Sequence, residues 1–221
     1  MALCLAGCEV VFDLEAPSHD EDLDGVPDGQ DNCPTVSNED QVDDESEPDA
    51  VGDVCDPHPI LGGDDVAFFA DGTKIVDADF VTSQVTSDGE RFVIAAGGSL
   101  ATRRTFGRSV SRIEVAIRFA SPIETGDVVT LTALPINCEL TAAPCTSGGM
   151  SCLMNDVGGN QPWSEPAAAL VRLSFDREEG CLVESLTSMV VAPTTSPDDS
   201  PLVIGASGGA VVESIIVYDV P

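Results

Sequence analysis

Six oxygen-bearing positions between residues 20 and 31 have a spacing suited to holding a metal ion. Three aspartates alternate with other residues, a glycine follows at once, and two further aspartates stand three and six residues beyond it. At positions 1, 3, 5, 7, 9 and 12 of one loop, the candidate ligands are Asp20, Asp22, Asp24, the Val26 carbonyl, Asp28 and Asp31. Ca²⁺ is a hard cation that takes about six to eight oxygens, and Gly25 allows the sharp turn that gathers them. The spacing therefore predicts a calcium-binding loop.

A second acidic run repeats this spacing less closely. Its candidate ligands are Glu45, Glu47, Asp49, the Val51 carbonyl, Asp53 and Asp56. Glutamate replaces aspartate at two positions, and Ala50 stands where the turn glycine is expected, at a cost of about 1 kcal/mol. About two extra residues separate Gln41 from this loop. We expect a second calcium site that binds more weakly than the first.

The residues around both loops resemble the thrombospondin type 3 repeat. The matching residues that follow the first loop are Asn32, Cys33, Pro34, Asn38, Gln41, Gly52, Asp53, Cys55 and Asp56. No amphipathic helix flanks the loops, so they are not a conventional EF-hand. The resemblance implies that residues 18–59 wrap around calcium with almost no apolar core, and that Cys33 and Cys55 form a disulfide.

The charge of the chain is concentrated in this region. The formal net charge is -30, and residues 9–65 hold 20 of the 39 acids and none of the nine bases. Nucleic-acid binding needs clustered Lys and Arg, and anionic lipid headgroups repel an acidic protein, so both partners are excluded. A run of like charge is otherwise a solvated, disordered tail, and the regular spacing of the acids favours bound cations instead.

Eight cysteines indicate an oxidising compartment. Zinc is the competing interpretation, but the sequence contains no C-x-x-C pair, and structural disulfides are favoured for the six later cysteines. Beyond Cys33 and Cys55 these are Cys138, Cys145, Cys152 and Cys181, for which three pairings stay open.

The first residues suggest how the chain is held at a membrane. Leu5-Ala6-Gly7-Cys8 resembles a bacterial lipobox, in which the cysteine is lipidated, although only seven residues precede Cys8 and none is basic. We interpret residues 1–8 as the remnant of a lipoprotein signal and residues 9–17 as a tether. The protein is then an outer-membrane or cell-surface lipoprotein, reaching the membrane only through its lipid anchor, or it is secreted.

After a linker at 60–65, residues 66–221 have the pattern of β-strands. Ile113, Val115, Ile117 and Phe119 alternate with polar residues, as do residues 129–133 and 170–175. Turns rich in Gly, Asp, Ser and Pro separate these runs, so a mainly β fold, an antiparallel jelly-roll-like sandwich, is predicted. The ending VESIIVYDVP resembles the last strand of concanavalin A-like or LamG-like domains. That resemblance implies a lectin-like fold.

Residues 137–166 look like a long loop insertion that contains three of the cysteines. Trp163, the only tryptophan, lies there near Asn160, a composition found on sugar-binding surfaces. The alternative, favoured by the usual burial of tryptophan, is that Trp163 caps the core of the sandwich.

No catalytic constellation is recognised in residues 66–221. They contain no histidine, which excludes Ser-His-Asp and Cys-His catalysis within them, and the E-x-D-x-x-E strand of laminarinase-like enzymes is absent. The sequence therefore predicts a protein that is not an enzyme. Its leading function is a calcium-stiffened spacer that presents a sandwich for adhesion or for binding a surface glycan or matrix protein. A purely structural envelope lipoprotein is the alternative, and a secreted hydrolase is the third hypothesis.

Overall fold

The computed structural model describes residues 19–44, 48–60, 62–73, 76–107, 109–120, 122–133, 136–144, 151–155, 161–166, 170–176, 180–184 and 199–219. The lipoprotein-signal remnant with Cys8, the tether, Glu45, Glu47, Cys145 and Asn160 lie outside these residues. Within them, no helix is both long and apolar enough to span a bilayer.

The described part of the repeat, from residue 19 to residue 60, consists of turns and bends without strand or helix. Its centre is a disulfide between Cys33 and Cys55, both of which are buried. Gly52 lies against this bridge, and a Cβ there would come within 2.7 Å of Cys33 Sγ and 2.6 Å of Asn32 Oδ1. Only glycine fits this position, because two turns of chain and the disulfide meet there.

The other elements within the described ranges are twelve strands and one short helix, as the mainly β prediction requires. They are β1 (Asp65–Asp71), α1 (Val76–Asp79), β2 (Phe80–Ser87), β3 (Phe92–Phe106), β4 (Val110–Phe119), β5 (Val128–Ala133), β6 (Ile136–Pro144), β7 (Ser151–Asn155), β8 (Gln161–Pro166), β9 (Val171–Asp176), β10 (Gly180–Glu184), β11 (Ser200–Ala206) and β12 (Ala210–Asp219). The fold-class prediction is confirmed.

All strand pairings are antiparallel, and the main path runs β10-β9-β4-β12-β3-β11-β5-β6-β7-β8. β1 pairs with β12, and β2 pairs along the long strand β3. The alternation predicted for β4 and β5 is present, since Ile113, Val115, Ile117 and Leu131 are all buried in the core. Because consecutive side chains of a strand point to opposite faces, this period places one face of each strand in the interior.

One local prediction is wrong. The segment 137–166 is not a loop insertion, because β6, β7 and β8 form a meander there at one end of the sheet. Gly97 and Gly98 lie within β3, where Gly97 has a φ of +74°. Gly208 and Gly209 separate β11 from β12.

The second half of β12 is buried on both faces. Ile215 and Val217 belong to the sandwich core, whereas Ile216 and Tyr218 pack with Cys33, Cys55 and Val51 of the repeat. The repeat therefore lies against the sandwich, which explains why the end of the chain is almost continuously apolar rather than alternating. An extended spacer, the arrangement expected from the sequence, does not describe this packing.

Charged groups surround the same contact. Arg172 Nη2 donates to the Thr35 carbonyl at 2.9 Å, linking β9 to the repeat. Glu114, which is buried, lies 2.8 Å from Arg112 Nε and 3.6 Å from Arg172 Nε. The sequence places Glu114 on a solvated outer face of β4, but the repeat covers that face and two arginines neutralise the buried carboxylate.

Candidate metal centre

The first acidic loop gathers its alternate aspartates around one point. One oxygen from each of Asp20, Asp22 and Asp24 lies within 4.8 Å of the others. The loop backbone holds them there. The Gly25 N–H donates to Asp20 Oδ2 at 3.0 Å, the Asp24 N–H to Asp22 Oδ1 at 3.1 Å, and the Val26 N–H to Asp24 Oδ1 at 2.8 Å. Gly25 has a φ of +96°, a conformation that glycine adopts without steric cost.

The oxygens not used by the backbone are left for a ligand. Asp20 Oδ1, Asp22 Oδ2 and Asp31 Oδ2 are buried and accept no hydrogen bond within the described residues. Burial, reinforced by the neighbouring carboxylates and opposed by the Asp24 N–H, raises the pKa of Asp22 to about 6. Unpaired carboxylate oxygens out of water are costly, and a hard divalent cation among them removes that cost. These residues fit Ca²⁺, which prefers carboxylate and carbonyl oxygens.

Asp31, the last ligand of this predicted loop, is oriented by an amide network. Its Oδ1 accepts from the Cys33 N–H and from Gln41 Nε2, both at 2.8 Å. Gln41 in turn accepts from the Asn32 N–H at 2.9 Å, and Asn38 Nδ2 donates to Asn32 Oδ1 at 2.7 Å. The Asn38 N–H donates to Asp24 Oδ2 at 2.8 Å. The network therefore fixes one oxygen of Asp31 and leaves the other without a partner.

Asp28 has a different environment from the other predicted ligands of this loop. Its Oδ1 accepts from the Glu21 N–H at 2.9 Å, and its Oδ2 lies 2.8 Å from His19 Nδ1. His19 Nδ1 also lies 3.3 Å from Asp71 Oδ2, at the end of β1. Both oxygens of Asp28 therefore have protein partners, so this residue braces the loop and is suited to reach a cation through water.

The second loop repeats the hydrogen bonds of the first. In each loop, backbone N–H groups donate to the first, third, fourth and last of the carboxylates that are candidate ligands. The second-loop pairs are Ala50 N–H to Asp43 Oδ2 at 2.8 Å, Val51 N–H to Asp49 Oδ1 at 3.0 Å, Asp44 N–H to Asp53 Oδ1 at 3.1 Å, and His58 N–H to Asp56 Oδ1 at 2.5 Å. Asp43 Oδ1 and Asp56 Oδ2 are buried without a hydrogen-bond partner among the described residues, as Asp20 Oδ1 and Asp31 Oδ2 are in the first loop.

This equivalence identifies a residue that the spacing missed. Asp43 occupies the place of Asp20, and the two extra residues lie inside the loop, between Asp44 and Asp49, rather than before it. Glu45 and Glu47 lie outside the described residues, so their part in the loop stays a prediction. The sequence does contain a signal for Asp43. If the two extra residues are placed after the Asp43-Asp44 pair, instead of counting back from Cys55, Asp43 aligns with Asp20.

The other predicted positions fall in the sheet. Cys138 of β6 is bonded to Cys181 of β10, which is one of the pairings that the sequence left open. The backbones of Cys152 and Trp163 lie in β7 and β8, and their side chains are outside the described part of the structure. Whether Trp163 lines a sugar-binding surface or caps the core therefore stays a prediction.

The class of protein that these features define is an antiparallel jelly-roll sandwich carrying an irregular, carboxylate-rich repeat. Residues 17–41 match the family model of the thrombospondin type 3 repeat. This match confirms the resemblance on which the sequence interpretation of this segment was based. No curated protein sequence matches the chain.

A solved lichenase structure confirms the sandwich fold, and two other solved structures show a lower similarity. A prokaryotic β-1,3-1,4-glucanase (lichenase) from a mouse hindgut metagenome has a TM-score of 0.50 and 11% identity, covering 70% of this chain and 99% of the other. The β-glucanase of Bacillus licheniformis gives a TM-score of 0.47 and 10% identity, covering 71% and 98%. The carbohydrate recognition domain of Emp47p gives 0.43 and 10% identity, covering 65% and 90%. At these identities the likeness concerns the fold.

The sequence-based prediction that the chain is not an enzyme is wrong, because the sequence did not justify excluding an enzymatic role. A glucanase, the lichenase described above, is among the solved structures that share its fold. The missing histidine and the missing E-x-D-x-x-E strand rule out particular catalytic arrangements, but they do not rule out an enzyme on a sandwich that hosts glycoside chemistry in other proteins.

Proposed function

We propose that this chain is a calcium-binding extracytoplasmic protein in which the repeat braces a carbohydrate-engaging β-sandwich at the cell surface. The observation that carries the calcium assignment is the set of buried, unpartnered carboxylate oxygens that recurs at equivalent atoms in two loops. Buried polar groups in proteins are almost always partnered, so a recurring exception points to a missing cation. The lipid anchor at Cys8 and a role in adhesion belong to the same proposal.

The repeat acts as a brace rather than as a spacer in this proposal. Its disulfide and Val51 cover Ile216 and Tyr218, which would otherwise expose apolar surface on β12. Calcium neutralises the self-repulsion of the acidic loops and so favours the compact repeat that makes this contact. Disulfides in both the repeat and the sandwich support an oxidising, extracytoplasmic location.

Two modes of carbohydrate engagement are supported by the fold, namely binding without chemistry and hydrolysis. The second is favoured by the lichenase, whose sandwich aligns over 70% of this chain. One experiment separates them. The full chain, loaded with calcium, is applied to a glycan array and is incubated separately with mixed-linkage β-glucan, while reducing ends are measured.

Array binding without release of reducing ends supports a binding protein, and release supports a hydrolase. A chelator should weaken either signal, because it loosens the repeat from β12. Calcium-loaded, folded protein that gives neither signal would refute carbohydrate engagement and would leave a structural envelope role.

A further inference from the structure

We propose that Asp64, which lies outside the repeat and directly precedes β1, is a ligand of the second calcium ion. That ion then joins the repeat to the sandwich. The inference rests on the proposed calcium-binding function and deepens it. It assigns a ligand that neither the loop spacing nor the repeat pattern contains.

Asp64 has a carboxylate oxygen that needs a partner. The residue is 3% exposed, and its Oδ1 accepts no hydrogen bond from any described residue. Its other oxygen, Oδ2, lies 2.9 Å from His58 Nδ1, so the side chain is fixed rather than free to turn. A buried carboxylate oxygen in this state is costly, and a cation at Oδ1 would offset that cost.

The second loop holds this segment in place. Asp49 Oδ2 accepts the N–H groups of both Gly63 and Asp64, each at 2.6 Å. Asp49 is the second-loop counterpart of Asp24, whose Oδ2 accepts the N–H of Asn38 in the first loop. In both loops, a later segment of the chain therefore donates an N–H to the equivalent aspartate oxygen. The donor is Asn38 in the first loop, whereas in the second loop one of the donors, Asp64, carries a carboxylate of its own.

Asp64 lies close to Asp56, the last ligand of this loop. Ligand atoms of Asp56, His58 and Asp64 all lie within 4.8 Å of one another, and both Asp56 Oδ2 and Asp64 Oδ1 lack hydrogen-bond partners within the described residues. Two buried carboxylates that converge on one point repel each other unless a cation or a shared proton lies between them. The extra negative charge also strengthens a loop in which Ala50, with a φ of +75°, replaces the turn glycine.

The other end of β1 provides the contrast. Asp71 is equally buried and lies near the other histidine, His19. However, Asp71 Oδ1 accepts from the N–H and the Oγ1 of Thr73, at 2.8 and 2.5 Å, and its Oδ2 faces His19. The oxygens of Asp71 are thus satisfied by the protein, and this cluster does not call for an ion. Asp71 is therefore a matched control for Asp64.

Calorimetric titration of the full-length, calcium-free chain with CaCl₂ tests the inference. The wild type should show two sites, and D64N should weaken only the lower-affinity site, by roughly tenfold or more because a charged ligand is lost. D71N should leave the lower-affinity site unchanged. Unaltered affinities in D64N would overturn the inference while leaving the calcium function intact, whereas a wild type that binds no calcium would refute the function itself.

A crystal structure of the wild type grown with calcium gives an answer that does not depend on the folding of any variant. Asp64 Oδ1 within about 2.6 Å of the second ion supports the proposal, and a longer separation overturns it. Titration with ZnCl₂ addresses the histidine. Zinc held by His58 and Asp64, with calcium binding unaffected, would also overturn the assignment of Asp64 to calcium.

Discussion

Val51→Ala tests whether the repeat and the sandwich unfold as one unit. Val51 belongs to the repeat but is 1% exposed, packed with Ile216 and Tyr218 of β12. The substitution removes two buried carbon groups at about 0.8 kcal/mol each, or roughly 1.6 kcal/mol of transfer free energy. The residual cavity adds to this, so we expect the free energy of unfolding to fall by about 2–3 kcal/mol.

The assay uses the single tryptophan as a reporter of the sandwich. Trp163 lies in β8, so its fluorescence during urea unfolding follows the sandwich and not the repeat. With a slope of about 2–3 kcal/mol per molar urea, the loss corresponds to a midpoint lowered by roughly 1 M. The protein is kept in saturating calcium so that both loops stay occupied.

Val54→Ala is the matched control. Val54 is in the same turn of the repeat but is 57% exposed, so the same substitution should change stability by less than about 0.5 kcal/mol. If Val51→Ala shifts the tryptophan midpoint no further than Val54→Ala does, the repeat is not energetically coupled to β12. The brace would then be refuted, and a spacer would become the better description.

Two further predictions concern the loops. Asp22→Ala should abolish one of the two calcium sites in calorimetry, whereas Leu23→Ala, at an 84% exposed position, should leave both, and equal binding by the two variants would contradict the ligand assignment. When a chelator removes calcium, the midpoint of urea unfolding should fall as pH rises from about 5 to about 7.5. The reason is that burial raises the pKa of Asp22 to about 6 and those of Glu21 and Asp56 to about 7. A carboxyl group whose pKa is raised by folding stabilises the fold at pH values below its ordinary, unfolded-state pKa. That contribution is lost as the pH rises through the raised, folded-state pKa. Saturating calcium, which requires ionised ligands, should reverse the slope, and an unchanged slope would contradict the assignment.

The sequence predicted those features that depend on a short, regular spacing. The first loop needed only the alternation of three aspartates and Gly25, and β4 needed only its period of two. Both patterns arise from local backbone geometry, so neighbouring residues specify them. The match of residues 17–41 to the repeat family follows from the same local order.

Features that depend on contacts across the fold were missed. Asp43 was overlooked because an insertion inside the loop breaks the count, although the hydrogen bonds preserve the equivalence. Asp64 belongs to a stretch whose Gly and Pro content is typical of a linker, and its N–H donates to Asp49, fifteen residues earlier. The strands β6 to β8 were mistaken for a loop because Pro and Ser within them, and Gly between them in the sequence, weaken the strand pattern that tertiary pairing restores.

The repeat buries both acidic side chains and an apolar contact with β12, so its charge affects the stability of that contact. In the folded chain, where the repeat packs on Ile216 and Tyr218, several carboxylates are out of water, including those of Asp31, Asp56 and Asp64. Without cations, the repulsion among these groups opposes the packing, so calcium and the apolar contact should stabilise each other. A fragment restricted to 66–221 would lack both and would expose the apolar face of β12. Assays of carbohydrate binding or hydrolysis therefore need the full chain in calcium, since the isolated sandwich would lack the repeat that covers β12.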